Sequence, residues 1–583
     1  YQANVWKSIG WIHSLLSYIC GAKTSKSISK MKIRTFFATL TVAAIASLLA
    51  PQADACTGLI VGKGASKDGS VMISYAADSH TLYGELYHWP AADWAKGSMR
   101  QIIEWDTNTP IGFIPQVAHT YNVIGNMNEH QLAITESTWG GRSELVNPEG
   151  IMDYGSLIYV TLQRAKTARE AIKVMTSLVE EYGYRSSGES FSIADKNEAW
   201  VMELIGKGPG KKGAVWVAMR IPDNAISAHA NQARIQQIKF NDPDNCLYAK
   251  DVISLAREKG YFKGQDKDFS FQKAYNPWTS DGLRGCEARV WSFFNRFADG
   301  MKKYEALAMG DVNQEPMPLY VIPNRKLSVA DVRNMMRDHY EGTPMDMTQD
   351  IGAGPYRVPY RWRPMSWEYN GKTYFNERAI ATQQTGFVLV AQLRPNLPDE
   401  VGGILWFGVD DANTAVFTPM YASIQRTPEC YRVGNGDMMH FSWTSAFWIH
   451  NWVANMAYAR YAPMIQDIRP VQYELEDGFD NALAQIDAKA VALLKESPAK
   501  ARAFLTNYSC TVADAATARW KSLGEYLLVK YMDGNMKKEE NGSFKDNGHG
   551  LSAMPEFPGY DTRYYKQIVD ETGNKFLSTG GGH

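Results

Sequence analysis

The sequence feature that most constrains the fold is a series of short apolar runs separated by turn residues. At residues 57–78, the runs "TGLIVGKGA" and "SVMISYAAD" flank "SKDG", whose Asp68-Gly69 pair is typical of a hairpin turn. Further runs of this kind occur at residues 121–139, 191–206, 213–231, 382–393, 402–411 and 415–423. Apolar runs bounded by turn residues are typical of strands, so the series predicts neighbouring strands in a sheet structure.

Two local signals mark other elements among these strands. Thr167-Ala-Arg-Glu170 has the form of a capping box, and apolar residues follow it at helical spacing, which predicts a helix. The glycine-rich "KGPGKKG" at residues 207–213 superficially resembles a phosphate-binding loop. It lies between two predicted strands rather than between a strand and a helix, which favours a hairpin loop.

From about residue 440 the pattern changes from strands to helices. Helical spacing of apolar residues predicts helices at residues 442–468, 481–497 and 517–534. Strands mixed with helices, followed by a helical portion, predict an α+β layered fold. We therefore expect a main domain at residues 56–440 and a helical C-terminal portion at residues 441–583 packed on it.

The N-terminal region reads as a secretory leader. Residues 31–55 begin with "MKIR", continue with the apolar "TFFATLTVAAIASLLA" and end in Ala53-Asp54-Ala55, an A-x-A cleavage signal. We expect cleavage between Ala55 and Cys56, and export to the periplasm or the extracellular space. Residues 1–30 have the character of translated upstream sequence or of an expression tag, and they are left out of the fold prediction.

Composition and motifs narrow the classes of partner. The net charge is −1, which gives no electrostatic case for nucleic acid or for an anionic membrane as a partner. No HExxH or CxxC motif occurs, so neither a metal nor a cofactor is expected. Apart from Cys20 and Cys56, the remaining cysteines are enough for up to two disulfides in an oxidising compartment, namely Cys246, Cys286, Cys430 and Cys510. The sequence leaves homo-oligomerisation open.

Cys56 follows the predicted cleavage point directly, and this gives it a chemical role. Cleavage after Ala55 would leave a thiol and a new α-amino group on the same residue. Such amines titrate at about 7.7–8.0 and thiols at about 8.5, so the amine is able to accept the proton of the thiol. A terminal amine that serves as the base for its own side chain is a known way to activate a nucleophile. The sequence thus indicates a cysteine nucleophile; the simpler alternative is a structural cysteine at the start of a strand.

Several stretches resemble one family of hydrolases in order along the chain. "ACTGLIVGKGASKDGSVMISYAADS" resembles the start of the N-terminal-nucleophile cysteine hydrolases: dipeptidase A, the secernins and, more distantly, choloylglycine hydrolase and penicillin V acylase. "NMNEHQLAITEST", "RGCEARVWSFF" and "GGILWFGVDDANTAVFTPMYAS" resemble the dipeptidase branch in particular. The resemblance implies an αββα sandwich, termed the Ntn-hydrolase fold, and amide hydrolysis through a thioester on the cysteine.

The resemblance also implies roles for individual residues. Cys56 matches the nucleophile, and Asp78 matches an acid that orients the free amine. Asn231 matches an asparagine of the oxyanion hole, where an amide donor stabilises the developing negative charge. Arg289 matches the active-site arginine, with Arg284 as a competing candidate, and would polarise the thiolate or bind a substrate carboxylate.

Some candidate substrate-binding residues stand where this sequence differs from the acylase branch. Tyr75 stands where that branch has an arginine, and Thr138 stands near the position of its second oxyanion asparagine. A dipeptide carries a free amine and a free carboxylate, and Glu136 and Arg289 are candidate ion partners for the two. The resemblance therefore implies a broadly specific dipeptidase, and these residues are its candidate substrate-binding groups.

Three alternatives remain open at this point. The first is an acyl-amide amidase of the choloylglycine hydrolase or penicillin V acylase type, which uses the same chemistry. The second is a papain-like enzyme with His80 or His229 as the base, although the surroundings of Cys56 do not resemble a papain-like cysteine. The third is a surface lipoprotein lipidated on Cys56, but lipoprotein signals usually have Leu where Ala53 stands.

Overall fold

Two large antiparallel sheets lie at the centre of the computed structural model, which describes residues 56–580. The predicted leader and Cys20 lie outside the described residues. The strands in chain order are β1 (Gly58–Val61), β2 (Val71–Asp78), β3 (His88–Trp89), β4 (Ala92–Asp93), β5 (Met99–Ile103), β6 (Pro110–Pro115), β7 (His119–Thr120), β8 (Val123–Ile124), β9 (Met127–Asn128), β10 (Ala133–Gly140), β11 (Gly188–Ala194), β12 (Ala199–Gly206), β13 (Ala214–Ile221), β14 (Ile226–His229), β15 (Cys246–Tyr248), β16 (Tyr320–Val321), β17 (Ser366–Tyr369), β18 (Lys372–Phe375), β19 (Thr385–Leu393), β20 (Gly403–Val409), β21 (Thr418–Tyr421), β22 (Glu539–Glu540) and β23 (Ser543–Phe544).

The two sheets bring distant parts of the chain together. The first sheet has the strand order β16-β14-β1-β2-β19-β20-β21, and the second has the order β15-β13-β12-β11-β10-β9-β8-β3. In the first sheet, β2 pairs with β1 on one side and with β19 on the other, with Tyr75 opposite Leu389. Strand β2 also packs against β10 and β11, so the two sheets face each other through a shared apolar core.

Helices cover the outer faces of both sheets. They are α1 (Tyr154–Leu162), α2 (Ala168–Tyr182), α3 (Val252–Glu258), α4 (Phe271–Tyr275), α5 (Ser280–Gly282), α6 (Ala288–Phe297), α7 (Glu305–Ala308), α8 (Val329–Met335), α9 (Asp399–Gly402), α10 (Ala446–Ala459), α11 (Tyr461–Glu496), α12 (Pro498–Lys530) and α13 (Thr562–Thr572). Helices α1, α2 and α3 contact the second sheet, whereas α6, α8, α10 and α12 contact the first. The order of layers is helix, sheet, sheet, helix, which confirms the predicted α+β class.

The predicted hairpins are confirmed. Strands β1 and β2 are joined through a turn at Gly69, whose φ of +78° suits glycine, and the Asp68 carboxylate accepts a hydrogen bond from the backbone N–H of Ser70. The loop at residues 207–213 joins β12 to β13, which pair antiparallel from Gly206 onward, so it is a hairpin loop. Strands β19, β20 and β21 are neighbours in one sheet, as expected.

Two local predictions need correction. The Thr167 hydroxyl caps α2 by accepting from the Glu170 N–H, but the Glu170 carboxylate accepts from the N–H of Lys166 rather than from that of Thr167, so the capping box is only half formed. The predicted helix at residues 442–468 is two helices, α10 and α11. The backbone turns at Arg460, which has φ −146° and donates hydrogen bonds to the carbonyl oxygens of Tyr531 and Asn535.

The C-terminal helices are longer than the sequence pattern predicted. Helix α11 continues through Pro470 to Glu496, and α12 runs for 33 residues from Pro498. Helices α10 and α12 pack on β20 and β21, within one compact unit that contains all the described residues. The division at residue 440 remains a prediction. Within residues 56–580, no helix is both long enough and apolar enough to cross a membrane.

The described cysteines form no disulfide. Cys56, Cys246, Cys286, Cys430 and Cys510 are all free thiols, and Cys286 alone among them is partly exposed. Four cysteines were enough for two disulfides, but their number says nothing about their separation in the fold.

Candidate active site

Cys56 lies against the end of β2, where the first sheet positions its thiol. The backbone of Thr57 exchanges hydrogen bonds with Ala76, at 3.3 Å and 3.0 Å, and thereby extends the pairing of β1 with β2. Cys56 is 3% exposed. The pairing brings Cys56 beside Asp78, the last residue of β2.

The Cys56 thiol contacts two side chains that the sequence singled out. Its Sγ donates a hydrogen bond to Glu136 Oε1 at 3.4 Å and lies 3.6 Å from the Tyr75 hydroxyl. The Tyr75 hydroxyl itself donates to the same Glu136 oxygen. Burial, followed by the carboxylates of Glu136 and Asp78, raises the pKa of Cys56 well above its usual range. The sulfur therefore needs a base beside it before it can act as a nucleophile.

Arg289 holds the backbone of Cys56 from the other side. Its guanidinium donates to the carbonyl oxygen of Cys56 at 2.6 Å and to the Thr57 hydroxyl at 2.7 Å. The other three N–H groups donate to the Gly285 carbonyl oxygen at 2.9 Å, the Ala230 carbonyl oxygen at 3.2 Å and Asn231 Oδ1 at 2.8 Å.

All five guanidinium donors of Arg289 are thus engaged within the protein. Arg289 links Cys56 to Asn231, and its expected role as the partner of a substrate carboxylate stays a prediction. Arg284, the competing candidate, is more exposed and donates to Glu377 at 2.5 Å. Of the two arginines, the structure places Arg289 at the cysteine.

A local irregularity in the chain aims Arg289 inward. Residues Leu283–Glu287 form a π-helical turn directly before α6, which carries Arg289 near its first residue. The Arg289 Nε donor ends on the carbonyl oxygen of Gly285 within this turn. π-Helical turns are rare and often occur at functional sites, because they redirect side chains without ending the helix.

Asp78 is buried in an ion pair that the sequence did not predict. Its carboxylate accepts from Arg378 and, at 2.6 Å, from the Thr385 hydroxyl. Burial raises the pKa of Asp78, and the nearby Arg378 opposes that shift. Arg378 also lies 3.4 Å from the Thr57 hydroxyl, which Arg289 contacts too. Arg378 was missed because it lies just before the run predicted as a strand, residues 382–393, and no local motif marks it.

We expect Asp78→Asn to lower the free energy of unfolding by about 3 kcal/mol, because it leaves the buried Arg378 charge without its carboxylate. Denaturant unfolding followed by circular dichroism measures the loss. The double variant Asp78→Asn/Arg378→Met is the control, and it should be more stable than the sum of the two single effects predicts. Additive effects would show that the two side chains do not act as a pair.

Asn231 and Thr138 meet beside the arginine. Asn231 has a φ of +54°, and its amide nitrogen donates to the carbonyl oxygen of Thr138. The Thr138 hydroxyl donates to Glu189 at 2.9 Å. Burial and the nearby Glu136 raise the pKa of Glu189 well above its usual range. Glu189 is therefore a second buried carboxyl group beside Glu136, and the sequence pattern gave no signal for it.

The two histidines considered as a base for Cys56 lie in different surroundings. His80 is exposed. His229 is fully buried, with its two ring nitrogens 2.6 Å from the Ser137 hydroxyl and 2.7 Å from the Ser192 hydroxyl. Burial, aided by Arg234 and Arg289, lowers the pKa of His229 to about 3. The serines occupy both ring nitrogens of His229, which argues against His229 as the base of a papain-like mechanism.

A small cleft of about 80 Å³ opens onto the thiol. Its walls include Tyr75, Asp78, Leu82, Trp105 and Tyr154. Within residues 56–580, no group of three or more His, Cys, Asp or Glu side chains is arranged to hold a metal ion. The thiol thus lies near the carboxyl groups of Glu136 and Asp78, and Arg289 binds the backbone of the same cysteine.

Comparison with known proteins gives a consistent result. The sequence profile of peptidase family C69 matches residues 55–474. The chain is 27% identical to a probable dipeptidase of Latilactobacillus sakei over 486 residues, which cover 79% of this chain and 92% of that protein. It is 26% identical to dipeptidase A of Lactobacillus helveticus over 455 residues, covering 74% of this chain and 86% of that protein. A probable dipeptidase of Salmonella dublin is 26% identical over 397 residues, covering 64% and 82% respectively.

Proposed function

The chain belongs to peptidase family C69, and from this premise we propose that it is an exported cysteine dipeptidase whose nucleophile is the thiol of Cys56. The observation that carries the proposal is the position of this thiol, which lies at a cleft within 3.4 Å of the Glu136 carboxyl group. The dipeptidase names of the relatives support the substrate class. The helix–sheet–sheet–helix layering supports an Ntn-hydrolase αββα sandwich.

The reaction begins with removal of the leader between Ala55 and Cys56. The new α-amine accepts the thiol proton, directly or through water, and the sulfur attacks the carbonyl carbon of the peptide bond. The tetrahedral intermediate then collapses. The ammonium returns its proton to the departing amino group, and a thioester on Cys56 remains. Water attacks the thioester with the amine again as the base, which releases the first amino acid and regenerates the thiol.

The surrounding residues have distinct roles in this scheme. Asp78 orients the ammonium of Cys56, and the pair with Arg378 holds that carboxylate in place. Arg289 is a positioning residue, since it fixes the carbonyl group of Cys56 and the amide of Asn231. Asn231 contributes to the stabilisation of the oxyanion, where one donor is worth roughly 10²–10³ in rate.

In this scheme, Glu136 binds the free amine of the substrate. A carbonyl carbon under attack by the sulfur has its α-nitrogen only two bonds away, at bond lengths of about 1.5 Å. That nitrogen therefore lies within reach of a carboxylate 3.4 Å from the sulfur. A substrate ammonium bound there restricts cleavage to the first peptide bond, and the Tyr75 hydroxyl holds the carboxylate in position.

We expect purified protein that begins at Cys56 to hydrolyse dipeptides, and to act on penicillin V and conjugated bile acids with kcat/KM lower by at least about 10–100-fold. These acyl amides have no ammonium at the acyl group, and losing a charge-assisted hydrogen bond costs roughly 1.5–3 kcal/mol. A panel of the three substrate classes, followed by chromatography of the products, measures the ratio. Faster turnover of penicillin V or bile acids than of dipeptides would favour the amidase alternative.

Intact-mass spectrometry of the exported protein addresses the lipoprotein alternative. The proposal requires an unmodified N-terminal cysteine at residue 56, because an acylated amine cannot serve as the base. A diacylglycerol adduct on Cys56 would exclude its use as the nucleophile.

A further inference from the structure

A second cavity, of about 480 Å³, adjoins the cleft at the thiol. Leu82 and Trp105 line both cavities, so the two share a boundary. Much of the wall of the larger cavity is aromatic. Tyr159 is part of this wall, and its ring centroid lies 4.3 Å from that of Trp89 and 4.8 Å from that of Trp105. This cavity is several times larger than the thiol cleft, and its aromatic wall suits an apolar side chain.

Arg100, on β5, lies in the wall of this second cavity. Its guanidinium donates to the Gln163 side chain. Among residues 56–580, it has no carboxylate within ion-pair distance, whereas Glu104 in the same wall is paired with Arg185 at 2.8 Å. Partial burial and the nearby Arg164 lower the pKa of Arg100 to about 10. Arg100 is thus a half-buried cation whose charge no acidic side chain in the described part of the chain balances.

The two arginines that contact residues 56–57 are engaged with other parts of the protein. Arg289 uses all five donors on protein atoms, and Arg378 is paired with Asp78. The cleavage scheme places a substrate's amine at Glu136, and a dipeptide also brings a free carboxylate on its second residue. A carboxylate next to Arg100 would accept a charge-assisted hydrogen bond from it and would offset the repulsion between Arg100 and Arg164.

We propose that the second cavity binds the C-terminal residue of the substrate, with Arg100 holding the free carboxylate and the aromatic wall holding a large apolar side chain. This assignment rests on the proposed dipeptidase function. It makes Arg100 a specificity-determining residue that selects for a free carboxylate one residue after the scissile bond.

The test compares Ala-Phe with Ala-Phe amide, which differ only in the charge of the terminal group. For the wild-type protein, we expect kcat/KM for the acid to exceed that for the amide by about 10–100-fold, the value of one charge-assisted hydrogen bond. Arg100→Gln should remove this preference by raising KM for Ala-Phe, while turnover of the amide changes by less than about threefold.

Arg164→Gln is the matched control, because it removes the neighbouring positive charge from a side chain outside the cavity wall. It should keep the preference for the acid. Binding of the two peptides to Cys56→Ala by calorimetry, with and without Arg100→Lys, separates recognition from turnover. Arg100→Lys keeps the positive charge and is the milder change to the fold. It should retain part of the preference for the acid over the amide.

Equal hydrolysis of acid and amide by the wild-type protein would overturn the assignment of Arg100, as would an equal loss on both substrates in Arg100→Gln. Failure of the wild-type protein to cleave any dipeptide would instead refute the proposed function. A preference for a basic over an aromatic second residue would overturn the assignment of the aromatic wall.

Discussion

We expect Cys56→Ala to lower kcat for dipeptides by about 10⁴-fold or more, because loss of a nucleophile removes the covalent route altogether. Cys56→Ser should also lose most activity, since a hydroxyl is far harder to ionise than a thiol. Ionisation of the group at this position is difficult even for a thiol, because burial and two carboxylates oppose it. Initial rates on a dipeptide, with active-site titration by an alkylating reagent, measure the loss.

The matched control is Cys246→Ala, a second buried free cysteine on β15 of the second sheet. This substitution removes a thiol at a position that does not line the cleft, and the variant should retain dipeptide turnover. Circular dichroism of both variants establishes that the fold persists. Full turnover by Cys56→Ala would show that another residue performs the attack, and the proposed mechanism would fail.

The strands around the site could be predicted because their signals are local. The hairpin at Asp68-Gly69 and the runs that became β19, β20 and β21 depend on turn residues and apolar patterning within a few positions. Cys56 was singled out as the candidate nucleophile for the same reason, since the predicted leader and the cysteine are adjacent in sequence. The position of Cys56 beside Asp78 then follows from the pairing of β1 with β2 as a hairpin.

The rest of the site depends on contacts between distant segments, which no local pattern reveals. Arg378 lies 300 positions after Asp78, yet it pairs with that carboxylate because β2 and β19 are neighbours in the sheet. Glu189 reaches the site because β10 and β11 pair in register. The saturation of Arg289 is equally non-local, since its five acceptors come from three separate segments. The sequence pattern indicated Arg289 but not that all five of its donors contact protein atoms.

Blocking the amine of Cys56 should be nearly as damaging as removing the thiol. We expect a form with one extra glycine before Cys56 to have kcat lowered by about 10²–10⁴-fold, the usual contribution of a general base. In that form the nitrogen of Cys56 is an amide, which cannot accept the thiol proton. Burial and the carboxylates of Glu136 and Asp78 disfavour spontaneous ionisation, so little activity should remain.

Precursors with an engineered protease site in place of the residues before Cys56 allow both forms to be made from the same folded protein. One site is cut directly before Cys56, and the control site is cut one glycine earlier. Activity should appear on cleavage only in the first case. It should also rise with pH through the titration of an α-amine, at about 7.7–8.0 when unperturbed, because only the neutral amine accepts a proton. Mature-like rates from the glycine-extended form would mean that a base other than this amine activates Cys56, and the link between export and catalysis would be lost.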